Sequence, residues 1–252
     1  MAFDYRSSEW TIRPDLASAH RSAWEAIRRP GAWWSGAERV AIAAEVRRAS
    51  DCPLCRERRT ALSPFAVEGV HGGGPRSPSA GLLPDAAVDA VHRLVTDASR
   101  LTRSWVEKLE GSGVSDAHYV ELLGVVVAVV SVDAFHRALG LALEPLPEPL
   151  PGPPSRVRPA NARPGAGWVP MIPPGRVGPA EADLYPGGAA GNVIQALSLA
   201  PDAVRLLHTL SAAQYVPMEA VIDPGWAEGR ALDRRQIELV AGRVSALNEC
   251  FY

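Results

Sequence analysis

The sequence predicts an all-α protein of two related helical units joined by a proline-rich linker. Three observations carry that expectation. Apolar residues recur at three- and four-residue spacing along most of the chain, the mark of amphipathic helices. No alternation of polar and apolar residues with regular turn signals occurs, and the valine cluster at 125–132 lies inside a long capped segment. Residues 145–179 hold 12 of the 23 prolines, a density at which no regular helix survives. The expected division is an N-terminal unit over 1–144, a linker over 145–180 and a C-terminal unit over 181–252.

The elements follow in order. Pro14-Asp15 opens a helix whose Leu16, His20, Trp24 and Ile27 share one face, and Pro30-Gly31 ends it. A second helix runs from about 37 to 49 through Val40, Ala43, Ala44 and Val46. Ser50-Asp51 offers an N-cap directly before Cys52, and Pro53 suits a first helical turn. Residues 71–84, rich in Gly and Pro, read as a loop. Helices are expected over about 85–110 and 115–140, the second nearly all apolar from Leu122 to Val132 and so buried on most sides. Beyond the linker, helices are expected at about 191–199, 201–214 and 233–252.

Composition bounds the function. The 252 residues are 47% hydrophobic, enough for a substantial core. Lys and Arg number 26 against 28 acids, a net charge of −2, so no basic excess favours nucleic acid as a partner. No early apolar run resembles a signal peptide, and no stretch of about 18 uninterrupted apolar residues would span a bilayer. The expected location is the cytoplasm, with no membrane partner. Lys108 is the only lysine; the Arg, Ala, Gly and Pro content reads as GC-rich coding.

The chemistry lies in three cysteines, Cys52, Cys55 and Cys250. In a reducing compartment the Cys52-x-x-Cys55 spacing indicates redox or metal chemistry rather than a structural disulfide. Aligning Cys52 with Cys250 pairs Ala43 with Ala241, Val46 with Val244, and Ser50-Asp51-Cys52 with Asn248-Glu249-Cys250. The same helix-then-cysteine order thus appears in both halves. Ile237, Val240, Val244, Leu247 and Phe251 form an apolar stripe that runs to the penultimate residue, and the expectation is a natural chain extending past Tyr252.

The stretch from Glu238 to Tyr252, with its glutamate twelve residues before Cys250, resembles the signature helix of the alkyl hydroperoxidase D-like and carboxymuconolactone decarboxylase-like superfamily. Glu38 to Cys55 is similar to a diverged copy, and the whole resembles a two-unit, alkylhydroperoxidase-related branch some of whose members carry selenocysteine. The resemblance implies a second thiol or selenol at position 253, a UGA codon there read as stop, and a histidine beyond. It implies reduction of a hydroperoxide or dithiol–disulfide exchange, with Cys52–Cys55 and Cys250 with residue 253 as redox pairs. Glu238 would be the proton carrier. A hydroperoxide substrate, an unidentified thiol reductant, a homo-oligomer, and no cofactor or metal complete the expectation. The first half departs from the pattern: Arg59 stands where the histidine belongs, and Val40 where Glu238 aligns.

A peroxidatic thiol must ionise, and a helix N-terminus with Arg56, Arg58 and Arg59 would favour the thiolate against the opposing Asp51 and Glu57. On a straight helix Glu238 and Cys250 lie about 120° apart, so they converge only through a helix break or a neighbouring helix. Alternatives are a decarboxylase-type acid–base enzyme that needs no thiol, a zinc-stabilised module with His71 as third ligand, and a structural pair of buried cysteines. Asp133 and His136, one helical turn apart, form a further acid–base candidate that reads more readily as a helix-end cap. The tryptophans read as core.

Overall fold

The computed structural model describes residues 3–71, 79, 81–248 and 250. Among these it is all-helical, with α1 Pro14–Arg28, α2 Gly36–Ala49, α3 Pro53–Thr60, α4 Asp85–Thr96, α5 Arg103–Glu110, α6 Asp116–Ala138, α7 Asn192–Ala196, α8 Pro201–Gln214 and α9 Arg234–Leu247. The face expected of α1 is the one buried: Leu16, His20, Trp24 and Ile27 point inward. α2 starts at a capping box in which the Ser35 side chain accepts from the Glu38 amide and Glu38 accepts from the Ser35 amide. Ser50 ends this helix, so Cys52 itself, rather than Ser50 or Asp51, takes the N-cap position of α3, with Pro53 in its first turn.

The helix expected over 85–110 is two. α4 ends at Thr96, a 3₁₀ turn covers Ala98–Arg100, and the Thr102 side chain caps α5. Arg100 explains the break. Its guanidinium binds Asp97 at 2.6 Å and the carbonyls of Ala61 and Arg58 at 2.7 Å each, tying the chain to the C-terminal end of α3.

α6 is the central element. By length and composition it is the one helix among the described residues able to cross a membrane, yet it is packed between α2, α4 and α8 with Val120, Leu122, Val129 and Val132 fully buried. Gly124 lets α6 and α8 approach: a Cβ there would stand 2.5 Å from the Ala203 Cβ. After α6 the chain turns at Gly140, whose φ of +67° suits glycine. It then runs without α-helix to Asn192 and lies along the helices: the Trp24 indole donates to the Pro145 carbonyl at 2.9 Å, and Ile172 and Leu184 are fully buried.

The two expected units share one core. A single apolar cluster runs from Phe3 through Trp24, Ile42, Val91 and Val129 to Leu199, Val204 and Leu210. Buried ion pairs pin it, Arg39 to Glu121 at 2.6 Å and Arg47 to Asp133 at 2.8 Å. Asp133 is therefore engaged by Arg47 and not by His136, whose Nδ1 instead donates to the Val132 carbonyl at 2.9 Å. The acid–base candidate resolves into two structural contacts.

Candidate functional site

A small satellite cluster beside this core holds Cys52, Leu54 and Cys55, with Val67 against it. The sequence places the thiols there by a short route. Pro53 starts α3, which sets Cys52 at the N-cap and Cys55 three residues on, so both side chains face the same end of the helix. Both are buried, 4% and 2% exposed.

Two histidines complete the cluster. His71 arrives on the loop after α3, and its Nδ1 lies 3.5 Å from the Cys52 Sγ and 3.8 Å from the Cys55 Sγ. His92 projects from α4, its Nδ1 3.2 Å from the Cys55 Sγ. The four donor atoms lie within 4.8 Å of one another and are of the type that holds a metal ion. The imidazole rings lie with centroids 4.0 Å apart and their planes tilted by 39°.

Each imidazole is backed by a carboxylate. His71 Nε2 meets Asp89 at 3.0 Å, and His92 Nε2 meets Glu45 at 3.0 Å. The carboxylates are fixed in turn. Asp89 accepts from Arg58 at 2.6 Å and from Arg93 at 2.8 Å; Glu45 accepts from Ser79 at 2.5 Å and lies 3.7 Å from Arg48. α2 and α4 pack side by side, which brings Glu45 to His92.

The electrostatics follow from these contacts. Burial pushes the Cys55 thiol up, but hydrogen bonds with His71 and His92 outweigh it and bring the thiol down to about 6. Burial pushes both imidazoles down, and their partners reverse it. His71, with Asp89 and both thiols, rises to about 10; His92, with Cys55 and Glu45, rises to about 9. Burial disfavours ionised Asp89, yet His71, Arg93 and Arg58 hold it far below the usual carboxylate range. These contacts favour the Cys55 thiolate and the protonated form of the imidazoles beside it.

Of the arginines expected to assist the thiols, Arg58 serves Asp89, while Arg56 and Arg59 are exposed on α3. They line an open cavity of about 740 Å³ with Cys55, the 94–100 segment, Val130 of α6, and Leu247 and Asn248 from the end of α9. Cys55 contributes to its lining while only 2% exposed.

The C-terminal candidates stand apart from this arrangement. Glu238 accepts hydrogen bonds from the Tyr215 hydroxyl and the Arg234 guanidinium, both at 2.6 Å, on a helix with no buried residue. Cys250 is an exposed free thiol whose amide bonds the Ser245 carbonyl at 2.9 Å. Among the described residues no hydrogen bond or ion pair joins either to Cys52 or Cys55. Glu249, Phe251 and Tyr252, part of the motif, lie outside the described residues, as does most of the 71–84 loop.

At the first motif Arg59 and Val40 stand where the family's pattern has its histidine and glutamate, so the family's relay is absent at that spacing. The structure supplies the histidines from His71 and His92 and the acids from Asp89 and Glu45. The usable signal was Asp89 and His92, one turn apart on a helix whose Ala87, Ala90 and Val91 face the core. Comparison with known protein families, curated proteins and solved structures finds no match.

Proposed function

We propose that the Cys52–Cys55 site carries out thiol redox chemistry, the reduction of a hydroperoxide or exchange with a disulfide. One observation carries this reading: each thiol contacts an imidazole whose second nitrogen contacts a buried or half-buried carboxylate, giving Cys52–His71–Asp89 and Cys55–His92–Glu45. An acid behind an imidazole fixes its orientation and stabilises its protonated form, which keeps the neighbouring sulfur ionised and returns a proton to a leaving group.

The thiolate of Cys55, a residue that lines the open cavity, attacks the terminal oxygen of ROOH. The O–O bond breaks, Cys55 becomes a sulfenic acid, and the departing alkoxide takes a proton from imidazolium to leave as ROH. The Cys52 sulfur then attacks the sulfenic sulfur; the S–S bond forms and hydroxide leaves as water with the proton that the Cys52 thiol gives up. An external dithiol restores both thiols by exchange and carries away the electron pair. On this reading Glu238 and Cys250 belong to a different surface. Their part in a second redox pair remains a proposal from sequence resemblance, as do cytoplasmic location and self-association.

The test is turnover of an organic hydroperoxide with a dithiol reductant. C55S and C52S are expected to lose it at least 100-fold, while C250S and E238Q keep it. Turnover that survives loss of both site cysteines would remove the reading. If the cysteine variants also retained decarboxylation of a carboxylactone, the acid–base alternative would replace it.

A further inference from the structure

We infer that the reduced chain binds one Zn²⁺ ion in a closed tetrahedral site formed by Cys52 Sγ, Cys55 Sγ, His71 Nδ1 and His92 Nδ1. The inference uses the same side chains as the redox reading but does not depend on it.

Geometry is the first argument. Zinc takes thiolate sulfur at about 2.3 Å and imidazole nitrogen at about 2.0–2.1 Å, so the sulfur–nitrogen edges of the tetrahedron are about 3.5 Å. The separations here, 3.2, 3.5 and 3.8 Å, bracket that length, and all four donor atoms fit within 4.8 Å. Two thiols and two imidazoles are also the set that zinc prefers.

The surroundings are the second argument. A metal-bound histidine gives its other N–H to a carboxylate or carbonyl, which fixes ring orientation and raises ligand basicity. Both Nε2 atoms have such a carboxylate at 3.0 Å, and each carboxylate is held by further donors. The metal-facing nitrogen is Nδ1 in both rings, so the two halves of the site are equivalent in construction.

The third argument is the weakness of local packing. The ligands come from the start of α3, from the loop beyond it and from α4, and among the described residues the apolar cluster around the thiols is Cys52, Leu54 and Cys55 with Val67 against it. A cluster that small buries too little surface to hold His71 against α3 and α4 by packing alone. A metal bridging 52, 55, 71 and 92 would close it.

Four protein ligands leave no open coordination position, so zinc here serves folding and thiol protection rather than activation of water. Zinc and a Cys52–Cys55 disulfide exclude one another, because both use the same sulfur lone pairs. Oxidation would therefore run as Zn(S⁻)₂ + ROOH + 2H⁺ → S–S + ROH + H₂O + Zn²⁺.

The experiment uses the full chain, reduced, stripped of metal with a chelator and titrated anaerobically with Co²⁺, then Zn²⁺. One equivalent of Co²⁺ is expected to give the intense visible bands of tetrahedral cobalt with thiolate charge transfer, and one equivalent of Zn²⁺ to bleach them. C55S and H92Q should lose the bands. E45Q, whose side chain reaches the metal only through the His92 ring, should weaken binding about 10–100-fold, and C250S should bind as wild type. H71A guards against unfolding, since His71 lies outside the helices: with helicity retained, it should still lose tetrahedral binding. Stoichiometry well below one, weak octahedral bands, or unchanged binding in C55S or H71A would overturn the inference. Metal binding without peroxide turnover would remove only the redox reading; turnover and disulfide formation without metal binding would remove only this one.

Discussion

The two cysteine-bearing helix ends share a sequence pattern and differ in everything the fold adds. At the end of α2, Cys52 and Cys55 are enclosed by α4 and the loop after α3, with two histidines, two carboxylates and three arginines arranged around them. At the end of α9, Cys250 is exposed, and the apolar stripe that precedes it faces solvent, with Val240 56%, Val244 51% and Leu247 65% exposed. A helix followed by a cysteine thus specifies neither burial nor chemistry. The difference lies in which helix packs alongside: α4 covers α2, whereas α9 makes no extensive helix contact among the described residues.

The largest effect should separate the two glutamates. Glu45 is 1% exposed and shares its carboxylate between His92 and Ser79. Truncation in E45A removes a buried acceptor from both groups and is expected to cost about 3 kcal/mol in denaturant unfolding. Glu238, on the exposed helix, meets a guanidinium and a phenol at the surface, and E238A should cost less than about 1 kcal/mol. Equal losses would show that α9 is as firmly built in as α2.

Two glycines sharpen the same contrast. G124A forces a methyl group to within 2.5 Å of the Ala203 Cβ where α6 crosses α8, an overpacking expected to cost about 1–3 kcal/mol. Gly242 in α9 has nothing within 4 Å of an added Cβ, so G242A should stabilise that helix by about 0.5–1 kcal/mol. A destabilising G242A would show that α9 is packed against a neighbour.

Thiol accessibility should divide the same way. Under native reducing conditions a neutral alkylating reagent should modify Cys250 about tenfold or more faster than Cys52 or Cys55, the gap closing in denaturant. Peptide mapping of quenched samples reads this directly.

A smaller, pH-dependent effect should appear where α8 meets the N-terminal core. His20 is buried between the Tyr5 hydroxyl and the Gln214 amide of α8. Burial, with the neighbouring His136, holds its pKa down at about 4 against an ordinary 6.5. The unfolded chain therefore takes up this proton first as pH falls. The penalty is absent above about pH 6.5 and grows from there down to about pH 4, so folding stability drops across that window. H20Q should flatten the slope, whereas no change in slope would place the titration elsewhere.

How much of this was legible in the sequence depends on the range of the contact. The face of α1 came directly from the spacing of Leu16, His20, Trp24 and Ile27, because local periodicity alone decides which side is buried. The Cys52-x-x-Cys55 pair was equally plain. His92 was not, since it lies 37 residues beyond Cys55 and is brought in only by the packing of α4 on α2. Glu45 lies on α2 just before the motif, but nothing local shows that it faces a histidine from another helix. Arg58 misled in the opposite direction: it reads as a cation beside a thiolate and instead anchors Asp89. The break at 97–102 was hidden because Arg100 stabilises it through carbonyls of α3, a contact that no pattern within the 85–110 segment records.

The central claim is that Cys52 and Cys55, with their two imidazoles, form one chemical unit. It is tested most directly by exposing the reduced, metal-free chain to one equivalent of an organic hydroperoxide and mapping the products by mass spectrometry. A Cys52–Cys55 crosslink with loss of two hydrogens, Cys250 remaining uncrosslinked, is the predicted result. Absence of that crosslink in folded protein, with the oxidant consumed at Cys250 alone, would contradict it.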